Sequence, residues 1–138
     1  MDRITVVGIG PGSDGFLVPA AKDAIAGAEI LAGAPRHLVP FNGSGKILLP
    51  MEGELDSFLD VLAEKRHCGK TVLLLSGDPC LFSLLGKITA RFSPDEYEVI
   101  PGVSSFQLLF AKLGIQWNGT EIASLQGRPL EDGCRFIR

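Results

Sequence analysis

The sequence has few of the residues that usually carry redox, metal or hydrolytic chemistry: its 138 residues include three cysteines and two histidines. The cysteines Cys68, Cys80 and Cys134 are widely spaced with no CxxC pair, so they indicate neither a disulfide framework nor a zinc site. The histidines His37 and His67 form no recognisable pair with a nucleophile, so covalent or hydrolytic catalysis is not indicated. We therefore assign no catalytic acid or base and no metal site.

Long apolar runs and an excess of basic charge are also missing. The longest apolar stretches, such as TVLLLS at 71–76, are far shorter than the roughly 20 residues that cross a bilayer. The 13 Lys and Arg residues are scattered and the net charge is -3, which favours neither nucleic acid nor an anionic membrane as a partner. Since the N-terminal MDRITVV also lacks the basic and apolar regions of a signal peptide, we expect a cytoplasmic protein with reduced thiols.

A complete phosphate-binding signature is missing too, although residues 4–15, ITVVGIGPGSDG, suggest one. In the dinucleotide pattern G-x-G-x-x-G, Gly8 and Gly10 fit, but Ser13 takes the third place. Pro11 has no N–H to donate to a pyrophosphate. The acidic residue expected about 20 positions later is absent from the end of the second apolar run, and GxxxxGK[ST] occurs nowhere. The turn therefore serves a ligand without phosphate, or it serves only the fold.

Hydrophobic residues are abundant, at 46% of the sequence. Short apolar runs without polar alternation are separated by helical patterns, which predicts an α/β fold: a mainly parallel, five-stranded sheet with helices on both faces. The predicted strands are 4–7, 30–32, 46–49, 71–75 and 97–100, with a sixth at 121–125. The predicted helices are 19–26, 54–65, 81–92 and 103–113.

The last segment of the sequence indicates a second domain. The predicted strand at 121–125 runs into QGRPLEDGCRFIR, whose apolar end looks like the start of another element. We predict an N-terminal α/β domain over residues 1–117, with the five strands, and the beginning of a truncated second domain over 118–138. The alternative is that this segment pairs with the main sheet.

Three loops that follow predicted strands are candidate binding loops: 8–12, SGDPCLF at 76–82 and PGVSSF at 101–106. Because ligands of open α/β sheets bind beyond the carboxyl ends of the strands, we expect the three loops to lie together at one edge. Their glycines would let a ligand or a neighbouring turn approach the backbone. Asp78 is also explained if it only caps the following helix, and Ser104 and Ser105 allow the same interpretation.

The stretches VVGIGPG, LLLSGDP and VIPGVSS, in this order, closely resemble the tetrapyrrole methylase family, whose members transfer a methyl group from S-adenosylmethionine. AEILAGAPRHL and IASLQGRP are similar to the subfamily of precorrin methyltransferases that act at carbon 5 in cobalamin biosynthesis. The resemblance covers nearly all of the chain. It departs from the family at Gln126, where relatives more often have histidine, and at Val18, where threonine is usual.

The resemblance implies a site for S-adenosylmethionine beside a trough for the macrocycle. This cofactor is a sulfonium without phosphate, so Pro11 is acceptable in the first turn. The implied cofactor-binding residues are Pro11, Gly77, Asp78, Leu81, Ser104 and Ser105. The implied substrate-binding residues are Gly10 and Gly12 beside the trough, and Arg36, His37 and Arg128 as partners of its carboxylates. The alternative for these three side chains is that they are solvated surface charges.

The resemblance also implies two α/β domains with the cofactor in the cleft between them, so we expect this chain to supply half of the pocket. The implied substrate is a precorrin or cobalt-precorrin. The implied partner is a second copy in a homo-oligomer, or the subunit that methylates carbon 15 with decarboxylation. The alternatives are methylation of another ring position, of RNA or of a protein, a binding fragment without catalysis, and a nucleotide-binding α/β protein.

Overall fold

The computed structural model describes residues 2–125 and 129, and these residues form an α/β fold around a five-stranded sheet. The strands are β1 (Ile4–Gly8), β2 (Ile30–Gly33), β3 (Ile47–Pro50), β4 (Thr71–Leu75) and β5 (Tyr97–Ile100). Their order is β3-β2-β4-β1-β5, and every pair of neighbours runs parallel. The predicted parallel five-stranded sheet is confirmed.

The helices of the described residues follow the strands in alternation. They are α1 (Pro19–Ala26), α2 (Pro35–Leu38), α3 (Leu55–Lys65), α4 (Leu85–Arg91) and α5 (Ser105–Leu113). Helix α1 begins with proline, whose missing N–H costs nothing at that position. Short 3-10 helices occupy Asp14–Phe16 and Val39–Phe41. Within the part of the chain that the structure describes, no helix combines the length and apolar character needed to cross a bilayer.

Helices cover both faces of the sheet. On one face, α3 and α4 pack against the strands in a cluster that includes Val6, Leu73 and Ile88. On the other face, α1 and α2 pack on a cluster that includes Val7 and Leu74. Every residue of β1 and β4 is buried, because both faces of these central strands are covered. The prediction of helices on both faces is confirmed.

One predicted strand and the predicted start of one helix are wrong. Residues 121–125 are not a strand, because a strand forms only where its backbone pairs with another, and the described residues give this segment no such partner. The helix predicted at 81–92 begins only at Leu85. Phe82 interrupts it with a φ of 47°, which lies outside the right-handed helical region. Ser83 Oγ instead accepts a hydrogen bond from the N–H of Leu85 at 3.0 Å.

The chain divides into two compact units, with the division between Ser105 and Phe106. In the second unit, the rings of Phe106 and Trp117 meet edge to face with centroids 5.0 Å apart. Gly114, with a φ of 66°, follows the end of α5, in the left-handed conformation typical of helix ends. The predicted domain boundary at residue 117 stays a prediction.

Candidate functional site

The three candidate loops lie at one edge of the sheet, beyond the carboxyl ends of β4, β1 and β5, which are neighbours in that order. We call residues 8–12, 76–82 and 101–105 the carboxyl-edge loops. Gly10 donates a backbone hydrogen bond to the Gly77 carbonyl at 3.2 Å, and Gly77 donates one to the Gly10 carbonyl at 2.8 Å. The first two loops are therefore joined as a small antiparallel bridge, and the placement expected from the sequence is found.

Glycine allows the three loops to touch through their backbones. A Cβ atom on Gly102 would lie 2.2 Å from the Gly77 carbonyl oxygen and 2.8 Å from the Gly8 carbonyl carbon. A Cβ atom on Gly8 would lie 2.6 Å from the Gly102 nitrogen. Real Cβ atoms do not approach other atoms so closely, so these positions admit no side chain. The glycine turn near the N-terminus thus has a structural role whichever ligand it serves.

Asp78 ties the second loop to the third. Its Oδ1 accepts a hydrogen bond from the N–H of Cys80 at 2.6 Å, and its Oδ2 accepts one from the N–H of Gly102 at 3.3 Å. The N-cap of α4 is Leu84, so the interpretation of Asp78 as a cap of that helix is wrong. Because each carboxylate oxygen has a second lone pair, Asp78 can hold the loops and still accept a hydrogen bond from a ligand.

The other residues assigned to the cofactor lie in the same loops. Ser104 is buried, and its Cα would lie 3.8 Å from a Cβ placed on Gly77. Pro11 and Ser105 are exposed, and Leu81 is half-buried. The structure therefore brings Gly77, Asp78 and Ser104 together beneath an accessible rim, while the role of each residue stays a prediction.

The residues assigned to the macrocycle are more spread out. Gly10 and Gly12 lie in the first loop, with φ values of 68° and 105° that favour glycine. Arg36 and His37 lie on α2, which follows β2, the neighbour of β4. Arg36 is exposed. Arg128 lies outside the described residues. Arg36 and His37 therefore extend the carboxyl edge by one strand, on the side of the second loop.

His37 is poorly suited to act as a cation at neutral pH. Burial, and then the charge of Arg36, lower the pKa of His37 below its ordinary value. The Leu74 carbonyl raises that pKa by a smaller amount. His37 Nδ1 is buried without a hydrogen-bond partner among the described residues. We therefore interpret the effect of the Leu74 carbonyl on this pKa as that of a nearby dipole rather than of a formed hydrogen bond. A neutral His37 can hydrogen-bond a ligand, and the positive charge on α2 comes from Arg36.

A cavity of about 540 Å³ lies at the opposite, amino edge of the sheet. Its lining contains charges of both signs, among them Arg3, Arg66 and Glu98. Several are held by neighbours: Arg3 Nη2 donates to the Tyr97 carbonyl at 3.0 Å, and Glu98 Oε1 accepts from Thr5 Oγ1 at 2.8 Å. The cavity contains none of the residues assigned from the sequence, and ligands of α/β sheets bind at the other edge. We therefore do not assign it as the functional site.

Sequence reasoning missed two features of the site. The contact of Asp78 with Gly102 joins residues 24 positions apart, and no local pattern reveals such a pair. The positive φ of Phe82 was missed because the residue type predicts the opposite. The only sequence signal for a turn rather than a helix at the second loop is its Gly-Asp-Pro start.

Comparison with known proteins shows the family. A family model described as tetrapyrrole (corrin/porphyrin) methylases matches residues 3–134. A cobalt-precorrin-7 C(5)-methyltransferase of Salmonella typhimurium is 36% identical over 125 residues, which make up 91% of this chain and 62% of that protein. The chain thus spans less than two thirds of the length of this relative.

Solved structures show the same fold. A precorrin-6Y methylase (cbiE) of cobalamin biosynthesis from Archaeoglobus fulgidus superposes with a TM-score of 0.68 at 24% identity, covering 84% of this chain and 60% of that one. A uroporphyrin-III C-methyltransferase from Thermus thermophilus, complexed with S-adenosyl homocysteine, superposes with a TM-score of 0.65 at 21% identity, covering 88% and 52%. With the motifs on the carboxyl-edge loops and the family match over most of its length, the chain belongs to the tetrapyrrole methylase family.

Proposed function

We propose that this chain is the part of an S-adenosylmethionine-dependent methyltransferase that acts at carbon 5 of a precorrin or cobalt-precorrin in cobalamin biosynthesis. The observation that carries the proposal is the carboxyl-edge site itself: three loops locked together by Gly8, Gly77 and Gly102 in a member of this family. The ring position comes from the activity named for the Salmonella relative. We keep the division into a domain at 1–117 and the start of a second at 118–138 as part of the proposal.

The residues at the carboxyl edge suit this cofactor. Gly77, with a φ of 66°, holds a backbone conformation that a Cβ would strain, and each Asp78 oxygen keeps a lone pair beyond its backbone hydrogen bond for ligand hydroxyl or ammonium groups. Pro11 presents no N–H, which would matter for a phosphate and does not for a sulfonium. When bound, S-adenosylmethionine supplies an electrophilic methyl group. Leu81, Ser104 and Ser105 complete the proposed contacts.

The substrate side of the site needs positive charge, because a precorrin carries several carboxylates. Arg36 is exposed on α2 at the same edge, and Arg128 is the second cation that we propose. A guanidinium binds a carboxylate through two parallel hydrogen bonds, which lysine cannot reproduce. His37 contributes a neutral hydrogen-bonding ring.

Catalysis by these residues is proposed to be alignment rather than acid–base chemistry. Transfer of a methyl group to an electron-rich ring carbon is a displacement at the sulfonium methyl, and holding the two reactants in line at near-attack distance supplies much of the acceleration. Exclusion of water from the cleft strengthens the interactions inside it. As partner we propose a second copy of the chain, or the subunit that methylates carbon 15 with decarboxylation.

Titration of the 138-residue chain with S-adenosylhomocysteine tests the proposal. We expect weak, saturable binding, with a Kd above the micromolar range, because the carboxyl-edge loops supply one side of the proposed cofactor cleft. Amide chemical shifts followed by NMR should change in residues 8–12, 76–82 and 101–105. NAD is the matched comparison ligand, since it shares the adenosine group and adds a pyrophosphate. Tighter binding of NAD than of S-adenosylhomocysteine would refute the proposed cofactor.

The substrate assignment has its own test in the same chain. Arg36→Lys should weaken binding of a cobalt-corrin polycarboxylate such as cobyrinic acid, followed by its visible absorbance, and should leave binding of S-adenosylhomocysteine unchanged. The control is Lys22→Arg on α1, which makes the reverse exchange of arginine and lysine at a position outside α2. If Arg36→Lys bound the corrin as the parent does, Arg36 would be a solvated surface charge.

A further inference from the structure

Phe82 has a backbone conformation that opposes its own side chain. Its φ is 47°, and every other positive φ among the described residues belongs to glycine. A side chain with a Cβ raises the free energy of this left-handed conformation, and an aromatic residue gains no local hydrogen bond there, as Asn or Asp would. The conformation of Phe82 is therefore imposed by its surroundings.

Hydrogen bonds on both sides of Phe82 impose that conformation. Before it, the N–H of Leu81 donates to the Asp78 carbonyl at 3.1 Å, and Asp78 is itself tied to the third loop. After it, Ser83 Oγ donates to the Pro79 carbonyl and accepts from the N–H of Leu85. Phe82 thus lies in a fixed turn that precedes helix α4.

The Phe82 side chain contributes little to the packing of the core. It is 52% exposed and belongs to neither of the two core clusters. Leu81, Ser83 and Leu84, its neighbours in sequence, are all more buried. Strained backbone conformations of residues other than glycine are concentrated at active sites and ligand-binding sites.

We propose that Phe82 is the ring-stacking residue of the carboxyl-edge site: its phenyl ring packs against a planar ring of the bound ligand. The inference rests on the proposed function, because the adenine of S-adenosylmethionine and the tetrapyrrole macrocycle both present such a ring. The loop that carries Phe82 also carries Gly77, Asp78 and Leu81, and the bridge between Gly10 and Gly77 fixes it against the first loop. A rigid phenyl ring on a fixed turn supplies contact area with little loss of conformational entropy.

Two substitutions separate the effect of the phenyl ring on binding from the effect of the backbone conformation. Phe82→Asn removes the ring and tolerates a positive φ, whereas Phe82→Tyr keeps the ring. Val61→Ala is the control for loss of an exposed apolar side chain, since Val61 is 42% exposed on α3. The probes are S-adenosylhomocysteine, which carries the adenine, and cobyrinic acid, which carries the macrocycle, each titrated into the 138-residue chain by NMR up to millimolar concentration.

We expect Phe82→Asn to weaken binding of one probe by about 5- to 150-fold, the range found for stacking of a base on an aromatic side chain. The probe that is affected identifies the planar ring. Phe82→Tyr and Val61→Ala should stay within about twofold of the parent, and the Tm of Phe82→Asn should equal or exceed that of the parent because strain is relieved.

Three results would overturn the inference. If Phe82→Asn bound both probes as the parent does, Phe82 would have no part in ligand binding, and the proposed function would stand. If Phe82→Asn lowered the Tm by more than about 5 °C, the phenyl ring would be part of the core. If the parent chain bound neither probe, the proposed function would fail, and the stacking role of Phe82 with it.

Discussion

The two edges of the central sheet are held together in different ways. At the carboxyl edge, the loops meet through backbone atoms: the bridge between Gly10 and Gly77 and the contact of Gly102 with Gly77. At the amino edge, side chains add contacts to backbone hydrogen bonds such as that from the N–H of Glu29 to the Lys70 carbonyl at 2.9 Å. Arg66 forms an ion pair with Glu96 and donates from Nη1 to the Asp2 carbonyl at 3.0 Å, and His67 Nδ1 lies 2.9 Å from Asp2 Oδ2.

This difference predicts how each edge responds to substitution. The His67 and Asp2 side chains are each 53% exposed, so each can adopt another rotamer and water replaces the partner that it loses; exposed pairs of this kind contribute little to stability. A backbone contact between glycines has no such freedom, because an added Cβ must displace the main chain. We therefore expect the carboxyl edge to be intolerant of change and the amino edge to be tolerant, and four substitutions test this contrast.

Gly102→Ala should have the largest effect. Its Cβ would lie 2.2 Å from the Gly77 carbonyl oxygen, so the second and third loops would have to separate. We expect a loss of about 3 kcal/mol or more in the free energy of unfolding, measured by urea denaturation, or failure to fold. Gly86→Ala on α4 is the control, because its Cβ would meet nothing within 4 Å, and it should gain up to about 1 kcal/mol. Parent-like stability of Gly102→Ala would contradict the backbone contact.

Asp78→Ala should have the next largest effect. It leaves the N–H groups of Cys80 and Gly102 without the carboxylate that accepts their hydrogen bonds, at a cost of about 1–3 kcal/mol in the same urea assay. The control is Asp60→Ala, which removes an exposed carboxylate paired with Arg91 and should cost less than about 1 kcal/mol. If the two variants lost equal stability, Asp78 would not tie the loops together.

His37→Asn should change stability less than either substitution, and in a pH-dependent way. Because burial lowers the pKa of His37 in the folded protein, the unfolded chain binds the proton more readily. The parent therefore loses stability as the pH falls through the ordinary pKa of histidine toward the lowered one. The variant has no such proton, so its stability relative to the parent should improve between pH 7.5 and about pH 5. Thermal unfolding at a series of pH values measures this, and parallel curves would refute a lowered pKa.

Glu96→Gln at the amino edge should have the smallest effect at neutral pH. A hydrogen bond from the N–H of Ser93, and then Arg66, lower the pKa of Glu96. The stability that this carboxylate contributes is present above its ordinary pKa and is lost as the pH falls through the lowered one. The Tm of the variant should therefore lie slightly below that of the parent at pH 7 and match it in acid. If Glu96→Gln lost as much free energy of unfolding as Asp78→Ala in urea denaturation at pH 7, the contrast between the two edges would be wrong.

The sheet and its loops could be predicted because their signals are local. A parallel strand covered on both faces is an unbroken apolar run, so β1 was predicted at 4–7 and found at Ile4–Gly8, and β4 was found as predicted at Thr71–Leu75. The carboxyl ends of parallel strands meet at one edge, which placed the loops. The segment 121–125 was predicted as a strand from its local sequence, but a local sequence does not show whether another strand pairs with its backbone.

Several features of the site could not be predicted because they depend on distant chain segments, on burial, or on a backbone conformation that the residue type disfavours. Nothing near Asp78 shows that it binds the N–H of Gly102. The lowered pKa of His37 arises from burial that only the packed fold creates. The conformation of Phe82 contradicts its intrinsic preference, so reasoning from residue type extended the helix through it.

The bridge between Gly10 and Gly77 has a consequence for protein engineering. Each of the two loops uses the backbone of the other as its support, so neither is an independent module. Transplanting the SGDPCLF segment of 76–82 alone into another α/β scaffold should yield a collapsed or disordered graft. A graft that preserves the geometry must carry residues 8–12, 76–82 and 101–105 as one cassette, on three adjacent parallel strands in the order β4-β1-β5.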